Sequence, residues 1–427
     1  MKTPITRRNA LISGLGALGS GLLGRPQPAR AKPSGQAKNL LVVFVQGGWD
    51  TTYVLDPKPG LGTVDAPVGQ AQKVGGVTIF DHASRPETRA FFQAFGEVST
   101  LVNGIQVQSI NHPDCTKRIL TGTASELSSD FAAIAAYEHG RALPAPYLAM
   151  GASSFPGPLG SISVRTGTAT QITTLLDPAR AFPAADPEFS PFEPSAAEAE
   201  LIDAYVSAST ERQRATRGAL GSNARRLDDF LASRERGERL KGFKQAFPSD
   251  FSFALDMNVQ IDIALRALDE GLSHSVKLEA AFGGWDTHLG NDLQSALHEE
   301  LFASLTTLLS ELTTRPGKHA GNKLIDETLV AVVSEMGRTP KLNVDLGKDH
   351  WPVTSALLLG GGLPGQRVIG RTGDGLEAAP VDFATGATSA GGSLVQYSNF
   401  AAAMLEALNV DSAQYLPQSE PFHAITG

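Results

Sequence analysis

The stretch Leu40-Leu41-Val42-Val43-Phe44-Val45, followed at once by Gln46-Gly47-Gly48-Trp49-Asp50, decides how this chain of 427 residues folds. It is a continuous apolar run, rich in β-branched residues, with no polar residue alternating through it. Such a run reads as a strand buried on both faces, the pattern of a central parallel strand. The Gly-Gly turn then delivers Asp50 at the strand's carboxyl end, the edge at which open α/β sheets bind ligands. Similar runs recur at residues 100–107, 276–282, 328–333 and 356–359, separated by segments of helical periodicity. Alternating strand and helix predicts an α/β chain around a mainly parallel sheet.

Composition bounds the function. The chain is 41% hydrophobic and 19% charged, which suits a globular protein with a sizeable core and excludes a disordered tail or a disulfide miniprotein. Lys and Arg total 36 against 44 Asp and Glu, a net charge of −8, with no basic stretch of the kind a phosphate backbone requires. A nucleic-acid partner is therefore not expected. The single cysteine, Cys115, cannot form an internal disulfide, so packing and bound metal are left to stabilise the fold.

The first residues read as an address. Thr6-Arg7-Arg8-Asn9 precedes an apolar run over residues 10–23, followed by Pro26, Pro28 and the small-residue site Ala29-Arg30-Ala31. This is the pattern of a cleavable export signal, residues 1–31. The run is short of the roughly 20 residues that span a bilayer, so no permanent membrane span is expected. The paired arginines resemble a twin-arginine signal, with Ala10 and Ile12 where that pattern prefers Phe and Lys; an ordinary secretory signal is the alternative. Cleavage would remove Lys2, Arg7, Arg8, Arg25 and Arg30 and no acid, taking the net charge from −8 to −13. A surplus of carboxylates is easier to tolerate where some of them hold a cation.

Residues 38–427 are expected to form one domain, with a loop-rich and helical insertion over about residues 143–271. Residues 143–194 are rich in Pro, Ala, Gly, Ser and Thr and predict long loops with a hairpin. Residues 196–271 predict a helical layer over the sheet, with Leu201, Ile202, Tyr205, Leu227, Phe230 and Leu231 on one face. The run Arg234-Glu235-Arg236-Gly237-Glu238-Arg239 reads as its solvated side. Further helices are expected over residues 295–313 and 397–408.

Candidate chemistry collects at strand ends. Gly-Gly-Trp-Asp-Thr occurs twice, at residues 47–51 and 283–287, each time after a strand-like run, and Asp286 is followed two residues later by His288. One such Asp is ordinarily a turn cap; two copies point to two carboxylates on one sheet edge. Ser334-Glu335-Met336-Gly337-Arg338 supplies a carboxylate and a guanidinium fork suited to an oxyanion. Asp349-His350-Trp351 adds an adjacent acid and imidazole, and Asn111-His112-Pro113-Asp114-Cys115 a further imidazole. Carboxylate and imidazole donors without thiolate suit Zn²⁺, Mn²⁺ or Mg²⁺. Gly360-Gly361-Gly362 lacks a following Lys-Ser or Lys-Thr, which disfavours a nucleotide fold.

Taken in order, these motifs resemble the exported bacterial proteins grouped as domain of unknown function 1501, over nearly the whole mature chain. That family is in turn similar to the alkaline phosphatase and sulfatase superfamily. The resemblance implies a three-layer α/β sandwich with one or two metal ions at the strand ends. It implies Asp50, Asp286, His288, Glu335 and His350 as metal ligands, with Asp349 a ligand or an orienting acid. Met336 stands where the superfamily carries a histidine. Counting back from Thr121-Gly122 sets His112 at the nucleophile position, where it is a ligand, base or nucleophile, or marks lost activity. Cys115-Thr116-Lys117-Arg118 lacks the Pro-Ser spacing of a modified sulfatase cysteine. Arg338 is expected to neutralise the substrate oxyanion. The implied function is a periplasmic or secreted metal-dependent hydrolase of small-molecule phosphate or related esters, delivered by the twin-arginine machinery. The competing expectation is a non-catalytic exported binding or envelope-assembly protein on the same scaffold.

Overall fold

β1 (Asn39–Val45) is buried along its whole length and lies in the interior of an eight-stranded sheet. In the computed structural model, residues 36–151, 153–166, 194–216, 221–242, 256–280 and 284–427 are described. The expected signal at residues 1–31, Gly283 of the second pentapeptide and residues 167–193 of the loop stretch lie outside the described residues. Beyond β1, β2 (Gln70–Val74) and β3 (Val77–Asp81) form a separate antiparallel pair. The main sheet continues with β4 (Ser99–Gln106), β5 (Tyr147–Met150), β6 (Ser163–Thr166), β7 (Ser275–Ala280) and β8 (Thr328–Ser334). A short antiparallel ladder joins β9 (Gly337–Arg338) to β10 (His350–Trp351). β11 (Val353–Gly360) and β12 (Arg367–Gly370) complete the main sheet, whose order is β12-β4-β11-β8-β1-β7-β5-β6.

Alternate residues of β1 feed two cores, as a strand's two-residue period requires. Leu41, Val43 and Val45 pack with the helices Pro86–Phe95, Met257–Asp269 and Leu293–Thr314 on one side. Leu40, Val42 and Phe44 pack with Phe131–Gly140 and Tyr397–Ala407 on the other. The fold is thus a mixed α/β sandwich around a mainly parallel sheet, the expected class.

One expectation needs correction, that of the buried helical face, and the sheet adds two details. β11 pairs antiparallel with both β4 and β8, so it runs against the other strands of the sheet. The residues before its start therefore arrive at the rim where the other strands end. The loop stretch holds no hairpin among its described residues: β5 and β6 pair in parallel. The helices Ala196–Thr216 and Ser222–Lys241 do not bury the predicted apolar face, since Leu201, Ile202, Tyr205 and Phe230 are exposed. The second helix is instead anchored near its end, where Arg236 is buried and donates to the carbonyls of Arg141 and Ser161. Carbonyls that would otherwise be orphaned satisfy a guanidinium there, so the charge run is not wholly a solvated face.

The two Gly-Gly-Trp-Asp turns pack on one another. Gly47 has φ +125°, and a Cβ on it would come within 2.7 Å of the Asp286 amide, so only glycine permits this approach. Trp49 stacks on His298 at 6.1 Å and Trp285 meets the same ring edge-on at 5.0 Å. Burial lowers the His298 pKa from an ordinary 6.5 to about 4. The unfolded chain therefore takes up a proton first as pH falls, and stability present above pH 6.5 is lost towards pH 4. Relative to His298→Leu, the wild type should lose about 1.4 kcal/mol of unfolding free energy for each pH unit in that window, measured by urea unfolding. A gap between the two proteins that stays constant with pH would contradict a neutral buried imidazole.

Candidate metal centre

Four separated segments reach one rim. β4 leads to the helix His112–Thr121, which Asn111 caps by accepting from the Asp114 amide and which Gly122 closes in the left-handed conformation. This fixes His112 in the first turn. β7 leads to Asp286 and His288, β8 leads to Glu335, and the segment before β11 brings Asp349 and His350.

Among the described residues, ligand-capable atoms of His112, Asp286 and His350 all lie within 4.8 Å of one another. His288 joins them, its Nε2 2.9 Å from His350 Nε2 and 3.2 Å from Asp286 Oδ1. His350 Nε2 is also 3.2 Å from Asp286 Oδ1, and His112 Nε2 is 3.3 Å from Asp286 Oδ2.

Each imidazole is held from behind by an acceptor. His112 Nδ1 meets Glu335 Oε1 at 2.8 Å, His288 Nδ1 meets Asp349 Oδ1 at 3.0 Å, and His350 Nδ1 meets the Ile110 carbonyl at 2.6 Å. Carboxylate and carbonyl oxygens only accept here, so each Nδ1 carries the hydrogen, and a ring without a second proton would present a lone pair at Nε2. Three lone pairs then converge on a carboxylate, a repulsive arrangement unless protons or a cation enter. His112 Nε2 is buried and makes no hydrogen bond, since its contact with Asp286 lies outside hydrogen-bonding geometry. A buried nitrogen of this kind, on a ring backed by an acceptor, fits the ligand pattern of a metal held by histidine.

The charges around the cluster follow the same arrangement. The hydrogen bond from His112 to Glu335, opposed by burial and helped by the negative charges of Glu335 and Asp286, raises the His112 pKa. Burial would raise the Asp286 pKa, but Arg338, His112 and His350 together hold it below the usual carboxylate range.

Not every expected residue joins the cluster. Asp50 is fully buried and committed to other partners: Oδ2 accepts from Lys348 Nζ at 2.8 Å and from Asn291 Nδ2 at 2.8 Å, and Oδ1 accepts from Thr52 Oγ1 at 2.6 Å. Burial would raise its pKa, yet Lys348 and these hydrogen bonds lower it. Glu335 is buried behind His112, accepting from the Gly47 amide at 2.8 Å and from Ser334 Oγ at 3.2 Å. Arg338 is not open to a substrate. Its side chain is buried and donates to the carbonyls of Gly47, Gly48, Trp285 and Lys348 and to Asp286 Oδ1. Sequence reasoning missed Lys348 and the Ile110 carbonyl. Lys348 precedes Asp349-His350 directly, and a buried Asp50 calls for a cation, but no spacing pattern pairs the two.

Residues 263–422 match the model of a protein family of unknown function, DUF1501. That span holds Asp286, His288, Glu335, Arg338, Asp349 and His350; Asp50 and His112 precede it. No curated protein matches the chain. Among solved structures, the chain is similar to the lipoteichoic acid synthase LtaP from Listeria monocytogenes, at 7% identity and a TM-score of 0.42 over 92% of this chain and 78% of that one. It is similar to the PsFucS1 sulfatase from Pseudoalteromonas sp., at 11% identity and a TM-score of 0.35 over 92% and 72%. The phosphonate monoester hydrolase SpPMH from Silicibacter pomeroyi gives 11% and 0.35 over 92% and 76%. No described helix is long and apolar enough to cross a membrane.

The Asp50–Lys348 pair is testable apart from any metal. Lys348→Met should destabilise the fold by about 3–5 kcal/mol, because it leaves a buried carboxylate without its cation. Asp50→Asn combined with Lys348→Met should recover part of that loss in urea unfolding. Equal stability of Lys348→Met and wild type would show that the pair is not buried as described.

Proposed function

We propose that this chain is an exported, metal-dependent hydrolase of phosphate or related esters. Its metal centre is one divalent ion held by His112, Asp286, His288 and His350. The observation that carries this reading is the convergence of three Nε2 atoms on Asp286, with every Nδ1 already bound to an acceptor. An imidazole-rich set with one carboxylate favours Zn²⁺ over Mg²⁺. Bound there, the ion supplies Lewis acidity at neutral pH.

The protein's own residues fix the ligands. Glu335, Asp349 and the Ile110 carbonyl set ring orientation and tautomer, and Arg338 steadies Asp286. Arg338 is thus a positioning residue in this reading, and the small-molecule ester would meet the ion without a free guanidinium beside it. That same fact favours a second reading. Arg338 and Lys348 are both buried and committed within the protein, as suits an exported protein that holds a metal without turnover.

Metal analysis of the purified mature chain should find about one zinc per chain, and His350→Ala should lose it. With metal present, aryl phosphate mono- and diesters should be hydrolysed by the wild type, and Asp286→Ala should lower kcat at least about a hundredfold. A metal-free wild type would refute the centre, and metal without turnover on any ester would favour the second reading.

The paired arginines support export by the twin-arginine machinery into the periplasm or beyond. Arg7→Lys with Arg8→Lys should retain the precursor in the cytoplasm in a fractionation experiment. Unchanged processing would indicate the ordinary secretory route.

A further inference from the structure

A cavity of about 580 Å³ lies beside the turn that follows His288, lined by Gly290 and Asn291 of that turn and by groups the metal centre does not use. Arg85 forms part of its wall. This arginine is only 2% exposed, yet no carboxylate among the described residues comes within ion-pair distance of it. Its contacts are weak for a buried cation. Nη1 donates to Ser295 Oγ at 3.3 Å, Nη2 donates to the Phe80 carbonyl at 3.4 Å, and Nε has no partner. The guanidinium carbon lies 5.8 Å from the centre of the Tyr53 ring, which also lines the cavity. Neither nearby acid is bonded to it: Asp81 pairs with Arg89 through Oδ2 and leaves Oδ1 buried without a partner, and Glu299 accepts from the Thr88 amide, so both act on Arg85 only as charges at a distance.

A buried guanidinium with unused donors is costly, because five N–H groups have left water for two long bonds. Nε is sealed from the cavity, but a carboxylate entering it would offer acceptors to the remaining hydrogens of Nη1 and Nη2. The other walls define the rest of the ligand. Pro67, Val68, Leu342 and Leu346 give an apolar lining, and Val68 and Leu346 stay exposed at the rim. Asp292 and Asp345 also line the cavity, while Asp65 is neutralised by Lys341 Nζ at 2.8 Å. Those carboxylates repel any anion, and a dianion such as phosphate about twice as strongly as a monocarboxylate at the same place.

We propose that this cavity binds a small monocarboxylate with an apolar body, its carboxylate on Arg85 and its body against Val68, Leu342 and Leu346. The site is distinct from the metal cluster and does not rest on the hydrolase reading.

Titration calorimetry of the purified mature chain with hexanoate tests it. Saturable binding is expected, with hexanol and inorganic phosphate binding at least about tenfold more weakly. Arg85→Met should lower hexanoate affinity more than about tenfold without lowering the unfolding midpoint, because it removes an unpaired buried charge. Hexanoate binding that stays intact in a folded Arg85→Met, whatever its midpoint, would make Arg85 merely structural and overturn the proposal. Leu346→Glu, a change at an exposed position, should weaken hexanoate on its own and decides the matter should Arg85→Met fail to fold. Hexanoate binding must persist in Asp286→Ala. Its loss there would assign the carboxylate to the metal centre and overturn the proposal, as would phosphate binding as tight as hexanoate.

Discussion

The rim depends on one buried guanidinium. Arg338 donates to carbonyls in both Gly-Gly-Trp-Asp turns, to the Lys348 carbonyl and to Asp286. It thereby joins segments that the sequence separates by more than two hundred residues. Carbonyls at the ends of parallel strands have no ladder partner, and a buried one left unbonded is costly. A lysine has three donors on a flexible stem and could not satisfy this fan of acceptors, whereas the fork of an arginine does so in one plane. The repeated pentapeptide follows from this: each copy offers carbonyls to the same cation, and Gly47 allows the two backbones to touch.

Sheet topology does the rest. Parallel strands present only their carboxyl ends at a rim, so β1, β4, β7 and β8 can each contribute residues that follow them. β11 runs the other way and contributes what precedes it, which is how His350 meets His288 and Asp286. The two-residue ladder of β9 and β10 sets His350 opposite Arg338 and fixes that approach. One reversed strand therefore lets a late segment of chain complete a cluster begun by residue 112.

Much of this was legible in the sequence. Unbroken apolar runs marked β1, β8 and β11, because a strand buried on both faces has little room for alternation, whereas β4 and β7 bury Asn103 and the Lys277–Glu279 pair among their apolar residues. The acids and imidazoles placed after those runs did gather at one edge. Which of them touch was not legible, since that depends on partners contributed by distant segments. Asp50 looks like a ligand until Lys348 is seen against it, and Glu335 looks like one until it is found behind His112. Arg338 reads as an oxyanion clamp from its chemistry alone, and only packing reveals that its donors are committed. The apolar face expected of the helical layer stays exposed for a related reason: periodicity predicts a buried face, but the helix Ser222–Lys241 is anchored by Arg236 to carbonyls, and Phe230 stays in water.

Charge balance ties these observations together. Three carboxylates stand in or against the cluster, those of Asp286, Glu335 and Asp349, and one fixed cation, Arg338, answers them. With neutral imidazoles the assembly carries a formal charge of −2, part of it buried. One divalent ion cancels that charge, and so do two protons on the imidazoles, of which His112 is the one held towards its protonated form by Glu335. Protons and a divalent ion would therefore compete for the same Nε2 lone pairs. Asp50 lies outside that competition because Lys348 already neutralises it.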